Sequence, residues 1–133
     1  MNPANYKTLR EISWDWSLAV KAGQKPSTTD LGDLLDDFRM RCHTPEEKLA
    51  LVTDSPEPTG EPETDAYFAA MVETLCREAL IKPPAWTELP STYLSRPWFA
   101  GGLQSLKAIL LAEAPIAFRR RNLFVSANAL QRV

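Results

Sequence analysis

The sequence has few of the residues that enzymes most often use for catalysis or for binding metal ions. His43 is its only histidine, and Cys42 and Cys76 are its only cysteines. A single histidine without a second ligand at metal-binding spacing, or a recognisable nucleophile, favours neither a metal centre nor acid–base catalysis. We therefore expect a non-enzyme without cofactor or metal. Both cysteines fall on apolar helical stripes, which favours buried free thiols in a reducing compartment.

Long apolar runs and targeting signals are also missing. No stretch approaches the roughly 18 apolar residues of a transmembrane helix. The first residues, MNPANYKTL, lack the charged and then apolar order of a secretory signal. We therefore expect a cytoplasmic protein that does not associate with a membrane.

The chain carries little net charge, but its positive and negative residues are distributed unevenly. The net charge is −2, and it combines two opposed halves. Residues 1–81 carry 8 Lys/Arg and 15 Asp/Glu, a net of −7, whereas residues 82–133 carry 7 and 2, a net of +5. The two halves are expected to attract each other or to attract separate partners.

What the sequence does contain is helical periodicity, with apolar residues at spacings of three and four. It predicts an all-α fold without a sheet, a compact bundle of five to seven helices in one domain over residues 1–133. Helices are expected at about 6–22, from 31 onward, after 44, at 64–80 and at 103–113. Between them we expect a surface loop at about 54–64 and a Pro-rich irregular segment at 82–102, whose aromatic residues pack against the helices.

Two local patterns in this reading are specific. Thr44, Pro45 and Glu47 have the spacing of a capping box with proline at the first helical position. Thr29 or Asp30 is expected to cap the second helix. An apolar stripe at helical spacing predicts that helix, and its carboxylates are expected to form a solvated face. That stripe is Leu31, Leu34, Leu35, Phe38 and Cys42, and those carboxylates are Asp33, Asp36 and Asp37.

The first helix carries apolar residues outside its main stripe. Trp14 and Leu18 lie one turn apart, off the face formed by Leu9, Ile12 and Trp16. One interpretation is a central helix covered on two sides. The other is a patch for a partner chain.

The C-terminal segment, residues 114–133, is expected to dock on the domain. Leu123, Phe124 and Val125 are predicted to be buried and extended, with Ala127 and Leu130 turned inward. Arg119, Arg120 and Arg121 point in different directions because consecutive helical residues differ by about 100°. These arginines either pair with the acidic half of the chain or form a recognition edge for phosphate, nucleic acid or an acidic protein.

Four motifs resemble the C-terminal helical module of bacterial antitoxin-like, helix-turn-helix regulators that are encoded beside predicted nucleotidyltransferases. They are PAW at 84–86, PWFAGGL at 97–103, FRRRN at 118–122 and SANAL at 126–130. The resemblance extends over about residues 30–133 and implies an interaction module. Residues 1–29 are too few for the helix-turn-helix domain, which we expect to be absent.

We therefore expect an antitoxin-like protein that neutralises or regulates a protein partner, possible partners including a nucleotidyltransferase toxin. A DNA-binding transcriptional regulator and a phage or mobile-element interaction protein are the alternatives; nucleic acid is not favoured because the chain is slightly acidic. The residues expected to contact the partner are Arg119, Arg120, Arg121, Asn122, Trp14 and Leu18.

Overall fold

The fold is known from a computed structural model, which describes residues 6–100 and 113–131, and it is mostly helical. The helices are α1 (Leu9–Lys21), α2 (Thr29–Asp36), α3 (Pro45–Ala50), α4 (Pro62–Glu78) and α5 (Ile116–Arg119). A π-helical turn, Asp37–Arg41, continues α2, and 3-10 turns lie at Ala85–Glu88 and Pro90–Thr92. Two short strands complete the described part, β1 (Trp98–Phe99) and β2 (Leu123–Phe124).

The start and the end of α1 have local causes. Thr8 is the N-cap, and its hydroxyl and the Glu11 carboxylate form a capping box, so the helix begins at Leu9 and not at residue 6. At the other end Gly23 has a φ of 69°, a conformation that glycine adopts without steric cost. Ser13 and Ser17 are buried, which the stripe did not predict; their hydroxyls donate to the carbonyls of Arg10 and Trp14.

The expected stripe of the second helix is largely confirmed. Leu34, Leu35, Phe38 and Cys42 are buried, while Leu31 is half-buried. The prediction that Asp37 lies on a solvated face is wrong, because Asp37 is buried and its carboxylate accepts a hydrogen bond of 2.6 Å from Arg41. The two residues are four apart, a spacing at which side chains on successive turns of a helix meet.

The helix α4 lies at the centre of the core, as its wide apolar face predicts. Nine of its residues are buried, among them Phe68, Met71 and Leu75. It contacts α5 and both 3-10 turns. It begins at Pro62, so the loop expected at about 54–64 is shorter than predicted. Arg10 and Ser13 of α1 fix this loop through hydrogen bonds with Ser55 and Glu57.

Two smaller predictions are confirmed, and a third holds in part. The capping box at Thr44 and Glu47 is present with Pro45 in the first turn of α3. Cys42 and Cys76 are free and buried, and burial raises the pKa of Cys76 to about 11, which keeps the thiol protonated. In the Pro-rich segment Trp86 is buried and its indole N–H donates to the carbonyl of Val52 at 3.0 Å, but Trp98 is 40% exposed, so the expected packing of the aromatic residues is wrong for Trp98.

The expectation of a fold without a sheet is wrong. β1 and β2 form a parallel pair in which Trp98 faces Leu123 and Phe99 faces Phe124. The pair arises because the 82–100 segment is irregular, so its extended backbone needs partners outside a helix. The backbone N–H groups of Leu94 and Trp98 donate to the carbonyls of Arg121 and Asn122.

The C-terminal segment docks largely as predicted. Leu123, Phe124 and Val125 are buried, and Leu130 is buried too. Ala127 is exposed, so the prediction that it faces inward is wrong; the turn that Ser126 starts places Leu130 against the core instead. The Gly101-Gly102 pair and all of the helix expected at 103–113 except Glu113 lie outside the described residues.

Asn122 directs the chain from α5 into β2, and its backbone predicts a difference between two substitutions. Its φ is 64°, and its side-chain amide donates to the carbonyl of Leu94 at 2.7 Å. Asn122→Gly and Asn122→Ala both remove that hydrogen bond, but only alanine places a Cβ in the left-handed conformation. We expect urea denaturation to show the alanine variant less stable by about 1 kcal/mol. An alanine variant as stable as the glycine variant would contradict backbone strain at this left-handed position.

Candidate protein-binding surface and the arginine cluster

A buried carboxylate on α4 organises the arginine-rich end of the chain. The side chain of Glu73 is 1% exposed, although it lies on the central helix of the core. Its two oxygens accept hydrogen bonds from Arg77, Arg120 and Arg121 at 2.6–3.0 Å. A carboxylate of this kind is stable in the interior because its charge is paired and its lone pairs are occupied.

Arg121 is completely buried, with 0% exposure. Its Nη1 donates to Glu73 and to the carbonyl of Ala117, and its Nη2 donates to the carbonyl of Thr87. The guanidinium also lies 4.8 Å from the centre of the Tyr93 ring, within the range of a cation–π interaction. In this fold the Arg121 side chain is therefore an internal contact, which weighs against the partner contact expected of it.

Arg120 lies at the edge of the same cluster, 40% exposed. Its Nη1 contacts both oxygens of Glu73, and its Nη2 donates to Tyr93 Oη at 2.9 Å and to Glu88 at 3.3 Å. The Tyr93 hydroxyl in turn donates to Glu88 at 2.5 Å. Most donors of Arg120 therefore have partners within the chain.

The electrostatics of the cluster favour the charged form of its acid. Burial raises the pKa of Glu73, but hydrogen bonds from Arg121 and Arg77 and the charges of Arg121 and Arg120 outweigh burial, so its pKa lies below the ordinary value. The pKa of Tyr93 is raised, first by burial and then by its hydrogen bond to Glu88. The tyrosine therefore remains a hydrogen-bond donor at neutral pH.

The other two residues of the arginine motif differ from each other. Asn122 is half-buried and its amide is occupied by Leu94. Arg119 is exposed, and within the described ranges its side chain makes no ion pair. The partner contact expected at Arg119 stays a prediction.

A second surface lies on the outer face of α1. Trp14 is 53% exposed and Leu18 is 48% exposed, so the interpretation of this helix as covered on two sides is wrong. We call the exposed residues the α1 outer face; they are Arg10, Glu11, Trp14, Asp15, Leu18 and Lys21. The hydrogen-bond partners of Arg120, Arg121 and Asn122 lie on α4, α5 and residues 87–94, so these contacts do not join the two surfaces.

The charged residues around Trp14 are already held in place. Lys7 pairs with Asp15 and, at 2.9 Å, with Asp30, while Arg10 pairs with Glu57 at 2.8 Å. Together with Trp14 and Glu11, all of these residues except Asp30 line a depression of about 380 Å³. The α1 outer face therefore combines an exposed indole with a fixed polar surround.

No sequence pattern predicted a role for Glu73, Glu88 or Thr87, and Tyr93 was expected only to pack against the helices. One signal for Glu73 exists: it follows Ala66, Ala69 and Ala70 at helical spacing, so a charged residue occupies a core position of α4. A charge at such a position needs an opposite charge from elsewhere in the chain. Three consecutive arginines are the evident source.

Comparison of the chain with protein-family models, with curated protein sequences and with solved structures gave no match. Across residues 6–100 and 113–131, no three His, Cys, Asp or Glu side chains are grouped to hold a metal ion. No helix in the same ranges has the length and apolar character needed to cross a bilayer. The resemblance to antitoxin-like modules stays a prediction.

The burial of Glu73 predicts that neutralising its carboxylate lowers the stability of the fold considerably. Glu73→Gln preserves the size of the side chain but leaves the buried Arg121 guanidinium with only the more distant Glu88 carboxylate, at 3.7 Å, as a counter-charge. We expect the free energy of unfolding to fall by about 3–5 kcal/mol in urea denaturation. The matched control is Glu78→Gln, whose 49% exposed carboxylate pairs with Arg39 and is expected to change stability by less than about 1 kcal/mol. Similar losses in the two variants would contradict a special role for the buried pair.

The lowered pKa of Glu73 also predicts how stability depends on pH. The contribution of the ionised carboxylate is fully present above its unfolded-state pKa of about 4.3 and is lost as pH falls through the lower pKa of the folded state. We expect the stability of the wild type to fall below about pH 4.3, and that of Glu73→Gln to fall less steeply. Urea denaturation at a series of pH values measures both slopes, and parallel curves would exclude this linkage.

Proposed function

We propose that this chain is a non-enzymatic binding protein that regulates a partner protein through its α1 outer face. The observation that carries the proposal is the exposure of Trp14 and Leu18, one turn apart on a 13-residue helix. Water-exposed tryptophan is unfavourable in an isolated molecule, and tryptophan is enriched at the energetic centres of protein interfaces.

The surround of Trp14 supports docking of a protein. Interfaces combine an apolar centre with a polar rim. Trp14 and Leu18 supply the centre, and Arg10, Glu11 and Asp15 supply a rim of both signs. The ion pairs of Lys7 and Arg10 reduce the side-chain entropy that binding would otherwise cost.

The arginine cluster supports a structural role over catalysis. An acid that is 1% exposed has no access to a substrate, and its neighbours are bound to it and to each other. The same pairing weighs against binding of nucleic acid, because Arg120 and Arg121 have most of their donors occupied within the chain.

A finer proposal names the partner class. The resemblance of the motifs at 84–130 to antitoxin-like modules supports a cytoplasmic antitoxin whose target is a nucleotidyltransferase toxin. Arg119, which is exposed and unpaired within the described residues, is then available to pair with the carboxylates that such an enzyme uses to bind metal. Its contribution is expected to be smaller than that of Trp14, since a rim charge changes mainly the rate of association.

The proposal is tested by co-purification with the product of the adjacent gene. We expect the double variant Trp14→Ala/Leu18→Ala to weaken the complex at least tenfold, consistent with loss of roughly 2 kcal/mol at an interface centre. Met40→Ala is the matched control, because Met40 is 61% exposed and lies on the π-helical turn, away from α1. Isothermal titration calorimetry measures both affinities.

Two results separate the parts of this proposal. Equal affinity of the wild type and the double variant would exclude the α1 outer face. Binding that survives Arg119→Glu unchanged at low salt would exclude the arginine contact while leaving the apolar surface in place.

A further inference from the structure

A pocket on another side of α1 has the composition of a ligand site. Trp16 differs from Trp14 and from Leu18 by about 200° around the helix, so its side chain projects elsewhere. There it lines a pocket of about 460 Å³ formed with α2, the start of α4, Trp98 and the end of the C-terminal segment. Small-molecule sites typically have volumes of about 300–1,000 Å³.

Four aromatic rings from three elements line this pocket: Trp16, Tyr67, Phe68 and Trp98. Packing holds two of them, since Trp16 meets Phe68 edge to face at 5.6 Å and Tyr67 meets Phe118 at 5.1 Å. Trp98 is 40% exposed, which places it where the pocket opens to solvent. Aromatic faces in a partly desolvated site attract cations, and tryptophan attracts them most strongly.

Two carboxylates give the pocket a negative sign. Glu61 is the N-cap residue of α4, but its side chain does not cap the helix; its Oε1 accepts hydrogen bonds from Trp16 Nε1 at 3.1 Å and from Thr64 at 2.9 Å. Both donors are neutral. Glu63 also lines the pocket, and among the described residues neither carboxylate has a cationic partner and no Lys or Arg lines the wall.

We propose that this pocket binds a small organic cation with an apolar body. The ammonium or guanidinium group lies toward Glu61 and Glu63, and the body lies among the rings of Trp16, Phe68 and Trp98. Charge excludes an anionic ligand, and the apolar walls disfavour a fully hydrated one. This inference goes beyond the proposed regulation of a partner and does not depend on it, because the two surfaces use different faces of α1.

The four tryptophans make the test specific. The probe is benzylammonium, titrated into the full chain carrying ¹⁵N, with the indole N–H resonances assigned by single Trp→Phe variants. We expect saturable shifts of the Trp16 and Trp98 resonances at millimolar probe. Buried Trp86 and outward-facing Trp14 serve as internal controls and are expected to stay unchanged. Benzyl alcohol, the neutral analogue of similar size, is expected to bind at least about fivefold more weakly.

Variants test the carboxylates. Glu61→Gln/Glu63→Gln keeps an acceptor for Trp16 but removes both charges, and we expect it to weaken benzylammonium at least about fivefold. Glu46→Gln, an exposed acid on α3, is the control and is expected to bind as the wild type does. An unchanged Trp86 resonance verifies the fold of each variant.

Four results would overturn the proposal. They are the absence of saturable shifts at Trp16 and Trp98, equal affinity for benzyl alcohol, and full affinity in the double variant. The fourth concerns the source of the cation: tighter binding of the peptide acetyl-Gly-Gly-Lys-Gly-Gly-amide than of benzylammonium would assign the pocket to a basic side chain of a protein and not to a free ligand.

Discussion

The buried carboxylate of Glu73 is the constraint on which the rest of the structure depends. An ionised acid on the central helix is tolerated only if positive charge reaches it from other parts of the chain. Arg77 comes from one turn along α4, and Arg120 and Arg121 come from the C-terminal segment. Arg121 then extends the contact to the carbonyl of Thr87, so one guanidinium joins α4, α5 and the Pro-rich segment. The acidic and basic halves of the chain meet at this point.

Three consecutive arginines thus have three different environments, because α5 ends at Arg119 and the chain turns through Arg120 and Arg121. Arg121 points into the core, Arg120 lies at its edge and Arg119 is exposed. A motif that looks like a binding edge in the sequence is in large part a structural anchor. The two surfaces proposed to bind partners or ligands lie elsewhere: the exposed indole on the α1 outer face, and the aromatic, acidic pocket beside Trp16.

Local features were predictable and long-range ones were not. The capping box at Thr44 and the apolar face of α4 follow from spacings of three and four residues, and they are confirmed. Trp14 and Leu18 were recognised as off the main stripe, although their role in binding stays a prediction. Glu73 and Arg120 are 47 residues apart in the sequence. The sequence alone does not show which of the 17 Asp and Glu side chains the arginines pair with. The parallel strand pair depends on the same docking, so it was missed too.

A double-mutant cycle between Glu73 and Arg121 tests the central claim most directly. Glu73→Gln, Arg121→Gln and the double variant are compared with the wild type by urea denaturation at neutral pH. If the buried pair anchors the C-terminal segment, either single change leaves a buried charge without its main partner, and the second change relieves much of that loss. The account predicts a coupling free energy of about 2 kcal/mol or more. Additive losses, with a coupling below about 0.5 kcal/mol, would contradict it.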